Sequence, residues 1–270
     1  MKKLKDFKLV TSMIFMNCFI LLSQNESIIT IDTLQNIELT DSIKSFHNFM
    51  PEVSGTSIFS GKKNSLINLM NSNLSPNNNA RALYKTISGI NIQQNDDGGI
   101  QLNIGGRGLN PNRSANFNIK QNDYDISADV LGYPESYYTP PAECLDYIEV
   151  VRGAGALQYG TQFGGLINFK IKKPNKTHTI IRNSFGSNNF YSTFISYSRV
   201  NKNSSSYTFY NYKNGDGFRP NSEFSSHNFY NYLSYSINDK IKLNTEITSF
   251  RYLAKQPGGL TDLMFNQNIF

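Results

Sequence analysis

Tryptophan is missing from this 270-residue chain, cysteine occurs only twice, and no apolar run reaches membrane-helix length. Each gap excludes something. After residue 22 there is no stretch of about 18 apolar residues, so a helical membrane protein is ruled out, and any bilayer-spanning part must be built from strands. Cys18 falls within an N-terminal apolar stretch, which leaves Cys144 as the one cysteine of the remaining chain. One cysteine forms no internal disulfide, and it lacks the spacing of a zinc site. Charge is also sparse. Lys+Arg 26 against Asp+Glu 20 give +6, of which Lys2, Lys3, Lys5 and Lys8 against Asp6 supply +3. The +3 left for the other residues is too little to argue for nucleic acid.

Among the residues present, the basic start and the apolar segments Leu9-Val10, Met13 to Met16 and Cys18 to Leu22 have the pattern of a secretory signal, with cleavage expected after Ser23. A short membrane anchor is the alternative, but Thr11, Ser12 and Asn17 interrupt a segment already too short to span. Residues 24–49 are polar, with an extended-looking stretch over Ile28 to Leu39. From Phe49 to Asn79 the chain is rich in Ser, Asn and Gly, and from 80 to 174 short apolar runs alternate with Gly- and Pro-rich turns. Gly89 to Ile92, Ile100 to Ile104, Tyr147 to Val151 and Leu166 to Phe169 read as strands. Leu66 to Met70, Arg81 to Ile87 and Ala154 to Tyr159 read as helical turns, and Lys172-Lys173-Pro174 closes the segment.

Beyond Pro174 the period becomes two. Tyr191, Thr193, Ile195 and Tyr197 alternate with serines. Phe229, Leu233, Tyr235 and Ile237 share one parity. Ile241, Leu243, Thr245 and Ile247 alternate with Lys242, Asn244, Glu246 and Thr248. This patterning sends one set to each face of a sheet. Five strands are expected, over 176–185, 189–199, 206–213, 226–237 and 240–252, with the start of a long loop from Leu253. Such Tyr- and Phe-rich segments of about ten residues suit outer-membrane strands, and a soluble antiparallel sheet would show the same period.

Several motifs in order carry a resemblance. Ile148-Glu149-Val150-Val151-Arg152-Gly153, Leu157 to Gly160 and Gly164 to Phe169 resemble the closing signature of the plug in TonB-dependent receptors, and Ile104 to Leu109 resembles its middle strand. Pro51 to Thr56, Asn110 to Ser114, Tyr124 to Asp129, Gly132 to Pro141 and Gln256 to Asp262 look like the ferric-citrate-type branch. The resemblance implies an α+β plug domain over 50–174 followed by an incomplete antiparallel transmembrane β-barrel over 175–270. Five strands do not close a plugged barrel of about 22, so an N-terminal fragment is the expectation. It further implies uptake of a ferric chelate across the outer membrane, with the TonB protein, the chelate and outer-membrane lipid as partners. The alternative is an isolated plug-like periplasmic module that binds a ligand without moving it.

Site residues follow from the same resemblance. Arg113, in a Pro-Asn-Arg-Ser turn, is placed to grip a citrate-like carboxylate bidentately. Asn112, Tyr137 and Tyr138 lie on neighbouring loops, and tying plug to wall is the alternative role for Arg113. Asp32, Thr33, Leu34, Ile37 and Leu39 form the candidate TonB box, which would add a strand to the partner's sheet; an ordinary linker is the other reading. Glu149 and Arg152 are expected at plug–barrel contacts, or else in solvent. Gly164-Gly165 are expected to let the following strand pack on the barrel wall. No cofactor or metal is expected. Gly153-Ala154-Gly155 lacks the third glycine of a dinucleotide fingerprint, no Gly-Lys-Ser/Thr follows a glycine cluster, and His47, His178 and His227 lack ligand spacing. No nucleophile–base set appears, so no enzyme activity is expected.

Overall fold

The structure is a computed structural model that describes residues 47–54, 57–59, 64–69, 87–94, 99, 102–106, 108–127, 138–152, 158–160 and 162–267, all within one compact unit, Lys44–Phe270. The expected signal, the candidate TonB box and Tyr137 lie outside the described residues, as does the side chain of Arg113.

Among the described residues fifteen strands follow in chain order: β1 (His47–Asn48), β2 (Val53–Ser54), β3 (Ser57–Ile58), β4 (Asn64–Asn68), β5 (Ile90–Gln94), β6 (Leu102–Gly106), β7 (Phe117–Gln121), β8 (Tyr124–Asp125), β9 (Leu145–Arg152), β10 (Gly165–Ile171), β11 (His178–Phe185), β12 (Tyr191–Val200), β13 (Ser204–Gly215), β14 (Phe224–Ser236) and β15 (Lys242–Ala254). Among the described residues the only α-helix is α1 (Asp262–Gln267), set within the segment expected as a loop. The helical turn expected over Leu66 to Met70 is instead β4, a correction with a clear cause. Leu66 and Ile67 sit opposite Glu149 and Ile148 of β9, and this pairing overrides a weak local preference.

Two large sheets result. The first has the order β1-β4-β9-β10-β7-β8. Its centre is β10, parallel to β7 and antiparallel to β9, and buried at six of its seven positions. A strand paired on both sides and covered on both faces must be nearly continuously apolar, and Leu166, Ile167, Phe169 and Ile171 meet that need. The second sheet is an antiparallel meander, β11-β12-β13-β14-β15, with β11 and β15 at its open edges. Its strands fall close to the five expected from period two.

On β12 and β14 of this second sheet, small polar side chains share the buried face while large apolar ones stand exposed on the other. On β12, Ser192, Phe194, Ser196 and Ser198 are buried while Ile195 and Tyr197 are exposed. On β14, Ser226, Asn228, Tyr230 and Ser234 are buried, whereas Phe229, Leu233 and Tyr235 are exposed at 39%, 41% and 47%. Leu243 and Ile247 of β15 are also exposed. Register puts Ile181, Ile195, Tyr210 and Phe229 in one row across four strands of the exposed face. The buried face lies on the first sheet: Phe194, Tyr207, Phe209 and Tyr230 join Ile67, Ile104, Phe117, Ile148 and Ile167 in one core. The rings of Phe209 stack on Phe194 at 5.6 Å and on Tyr230 at 5.4 Å.

Gly165 shows why the glycine pair precedes β10. Its φ is +122°, and a Cβ there would meet the Val151 carbonyl oxygen at 2.0 Å. Its neighbour Gly164 is pressed against the Asn116 carbonyl and the Phe117 ring. These glycines therefore allow close packing within the first sheet, on β9 and β7, while Ile167 and Phe169 of the strand they precede share a core with Phe194 and Phe209 of the second sheet.

Candidate functional site

The seam between the two sheets is centred on a two-residue hairpin turn. Asn122 and Asp123 join β7 to β8 with φ of 47° and 74°, the left-handed pair that a tight primed turn requires and that Asn and Asp tolerate. The Asn122 amide reaches three elements. Its Nδ2 donates to Tyr230 Oη of β14 at 3.1 Å and to Glu246 Oε2 of β15 at 2.9 Å, and its Oδ1 accepts from the Ile171 N–H at 3.0 Å. Next to it, Gln121 Nε2 donates to Thr248 Oγ1 at 3.0 Å. One side of this turn thus pins the first sheet to two strands of the second.

Its other side is charged. Asp123 accepts from Lys170 Nζ at 2.7 and 2.8 Å and from Asn168 Nδ2 at 2.8 Å. Asn168 also donates to Glu149 Oε2 at 2.7 Å, and Lys170 lies 3.7 Å from the same carboxylate. Burial works against ionised Asp123, but the bonds from Lys170 prevail and hold its carboxyl below the usual value. For Glu149 burial wins over Lys170 and pushes the carboxyl up. Around this cluster opens a polar cleft of about 490 Å3, reached by Asp123, Asp146, Lys170, Lys173, Tyr232 and Glu246.

A second tie lies at Glu143. This residue is 4% exposed in a short 3-10 turn, Ala142–Cys144, and faces Arg182 of β11 at 3.6 Å. Lys172 Nζ donates to its carbonyl oxygen at 2.8 Å, and buried Lys213 of β13 acts on its carboxylate. Burial still raises the Glu143 carboxyl above its ordinary value. Cys144 beside it is fully buried, its thiol on the Pro141 carbonyl at 3.0 Å; burial raises that thiol, which makes it an inert core group.

The expected site residues separate. Asn112 is exposed in a 3-10 turn, Asn112–Ser114, at the Phe117 end of β7. Bonds from the Asn112 N–H to Asn110 Oδ1 and from the Ile104 N–H to Ser114 Oγ, both 2.9 Å, fix this turn. Tyr138 lies at the other end of β7. It donates to Gln121 Oε1 at 3.1 Å, accepts from Asn228 Nδ2 at 3.5 Å and packs on the Phe250 ring at 5.2 Å. Tyr138 is thus a seam residue, drawn in because its ring finds an apolar partner and its hydroxyl two polar ones. Glu149 and Arg152 bond within the first sheet, Arg152 Nη1 donating to Ser65 Oγ at 3.0 Å. Gln121, Asn122, Tyr138 and Glu143 make polar contacts with the second sheet. Of these, Tyr138 was singled out from the sequence for another role, and Asn122 belongs to a turn dipeptide, Asn122-Asp123, between alternating segments.

Comparison with known proteins gives this geometry a context. Residues 70–166 match the family model described as the TonB-dependent Receptor Plug Domain. That domain belongs to outer-membrane receptors, which are not enzymes. Solved structures similar to the chain include the ferric enterobactin receptor PfeA of Pseudomonas aeruginosa, 20% identical over 73% of this chain and 34% of that one, with a TM-score of 0.53. They include the ferripyoverdine receptor of the outer membrane of Pseudomonas aeruginosa, 20% identical over 68% and 24%, at 0.56. The copper transporter OprC matches at 16% identity over 76% and 32%, at 0.55. At these identities the likeness is one of fold. The chain spans about a quarter to a third of the length of these proteins.

Proposed function

We propose that this chain supplies the plug and the first wall strands of an outer-membrane, TonB-dependent importer whose cargo is a ferric chelate, ferric citrate or a related siderophore. The observation that carries this reading is the inverted sheet: serines and asparagines buried against the globular part, with Ile195, Phe229, Leu233 and Ile247 on the exposed face. A wall with lipid outside and a polar lumen inside has this arrangement. In this reading residues 1–23 direct export, Asp32, Thr33, Leu34, Ile37 and Leu39 engage TonB, and 50–174 and 175–270 are plug and wall. Arg113 and Asn112 meet the cargo from a turn at the end of β7 away from Pro174, with Tyr137 on a neighbouring loop.

Uptake of radiolabelled ferric citrate by cells that depend on this protein tests the reading, with ferric enterobactin-type and hydroxamate chelates as competitors. Leu34→Pro should abolish uptake and leave binding intact, because proline removes a donor from the strand added to TonB. Arg113→Ala should weaken binding at least about tenfold, the scale of one lost charge-assisted bond pair. Equal binding of ferric citrate by wild type and Arg113→Ala removes that contact, and uptake unaffected by loss of TonB removes the energised mechanism.

A further inference from the structure

On the exposed face of the five-stranded sheet, the side that faces lipid in the function proposed above, we propose a binding site for the phosphate headgroup of an anionic lipid, formed by His227 and Arg251 with Tyr210 orienting the imidazole. His227 of β14 and Arg251 of β15 are directly opposed in register, so both side chains leave the sheet on the same face as neighbours. Both are exposed. The imidazole is held from two directions: its Nδ1 lies 2.7 Å from Tyr210 Oη, and the Tyr212 ring packs on it at 4.9 Å. With the phenol donating to Nδ1, the ring proton sits on Nε2, which leaves an N–H pointing away from the tyrosine. Arg251 brings a guanidinium fork suited to a phosphate oxygen pair.

Charge complementarity identifies the occupant. Among the described residues Arg251 makes no ion pair, and no Asp or Glu stands at an outward position of any of the five strands. An arginine and an oriented histidine beside an apolar band that includes Phe229 thus meet no protein anion on that face. A lipid offers both partners at once, its chains to the apolar band and its phosphate to the cations. Arg199, the other outward arginine, faces Ser206 and has no histidine or tyrosine hydroxyl opposite it, so it serves as an internal comparison.

The test uses the full chain inserted in phosphatidylcholine vesicles, extracted in mild detergent and titrated with phosphatidylglycerol, the lipid retained per chain being counted by native mass spectrometry. The half-saturating lipid concentration should rise at least about tenfold for Arg251→Gln and severalfold for His227→Gln, and stay within about twofold for Arg199→Gln. All three positions are exposed, and circular dichroism of each variant verifies the fold. Equal retention by wild type and Arg251→Gln overturns the site. So does equal loss at Arg199 and Arg251, which would mean unspecific charge attraction, or displacement of the lipid by millimolar inorganic phosphate, which would mean a free-anion site. Flotation on phosphatidylcholine alone reads insertion separately, so failure of the membrane reading is distinguishable from failure of this site.

Discussion

Replacing Leu233 by arginine separates a lipid-facing wall from a sheet in water. Leu233 is 41% exposed on β14, between Ser206 and Thr245 on the neighbouring strands, and shares its face with Phe229 and Tyr235. Ile237, also exposed, lies four residues further along the chain. At about 3.4 Å per residue and a tilt near 40°, that is roughly 10 Å of depth, which puts Leu233 near the middle of an apolar band about 25 Å tall. Arginine at that depth costs about 2–4 kcal/mol in a membrane strand. In water the same change at a half-exposed site, with no cavity and no buried partner lost, falls within about 0.5 kcal/mol. The two environments therefore differ by a factor of at least about ten in the folding equilibrium.

Reversible denaturant unfolding of the membrane-inserted protein gives the number, read as a midpoint shift at constant slope. Asp239→Arg, in the tight turn after β14, is the companion change and should shift stability by no more than about 0.5 kcal/mol. A Leu233→Arg shift as small as that of Asp239→Arg would refute the lipid-facing assignment of the whole sheet, because Ile195, Phe229 and Ile247 share its face.

Asn122→Ala should destabilise the protein by about 1–3 kcal/mol in the same assay, since one amide bonds Tyr230, Glu246 and the Ile171 N–H; hydrogen exchange should quicken at Ile171 first. Gly165→Ala should cost at least about 2 kcal/mol, because φ of +122° and a Cβ at 2.0 Å from the Val151 oxygen force the backbone to move. Glu143 predicts a pH slope. Burial raises its carboxyl, so the folded state keeps a proton that the unfolded chain has already released. Its contribution is full below the ordinary carboxylate range and is lost as pH rises through the raised value. Glu143→Gln should flatten that decline in a series of unfolding midpoints from acid to neutral pH, and an unchanged slope would assign the pH dependence to another group.

The wall was legible because one rule, alternation, acts on every residue of a strand. Serines on one parity and Tyr, Ile and Phe on the other gave all five strands to within a few residues, and only the lipid or water on the exposed side remained open. The globular part was less legible because its strands are short and their partners distant. β4 finds β9 more than seventy residues away, and nothing local in Leu66 or Ile67 records that pairing. β7 was missed for the same reason: Phe117 and Ile119 alternate over only five residues, and their partner β10 lies almost fifty residues on. Charge is least legible, since a sequence shows that a charge exists and not which neighbour neutralises it. Lys170 and Asn168 of β10 reach Glu149 only through the antiparallel register.

In the importer proposed above, the two sides of the Asn122-Asp123 turn would let the seam part near this point. A buried apolar seam would separate only with a large loss of burial. Here much of the attachment near the turn consists of hydrogen bonds from Gln121 and Asn122 and the partly exposed charges of Asp123 and Lys170, groups that water can take over as they part. The apolar contacts of Phe194, Phe209 and Tyr230 lie beside them and define the resting position. Asn122→Ala should therefore loosen the turn, as read by exchange at Ile171, without the 3–5 kcal/mol loss that truncating Phe209 in the shared core would cause.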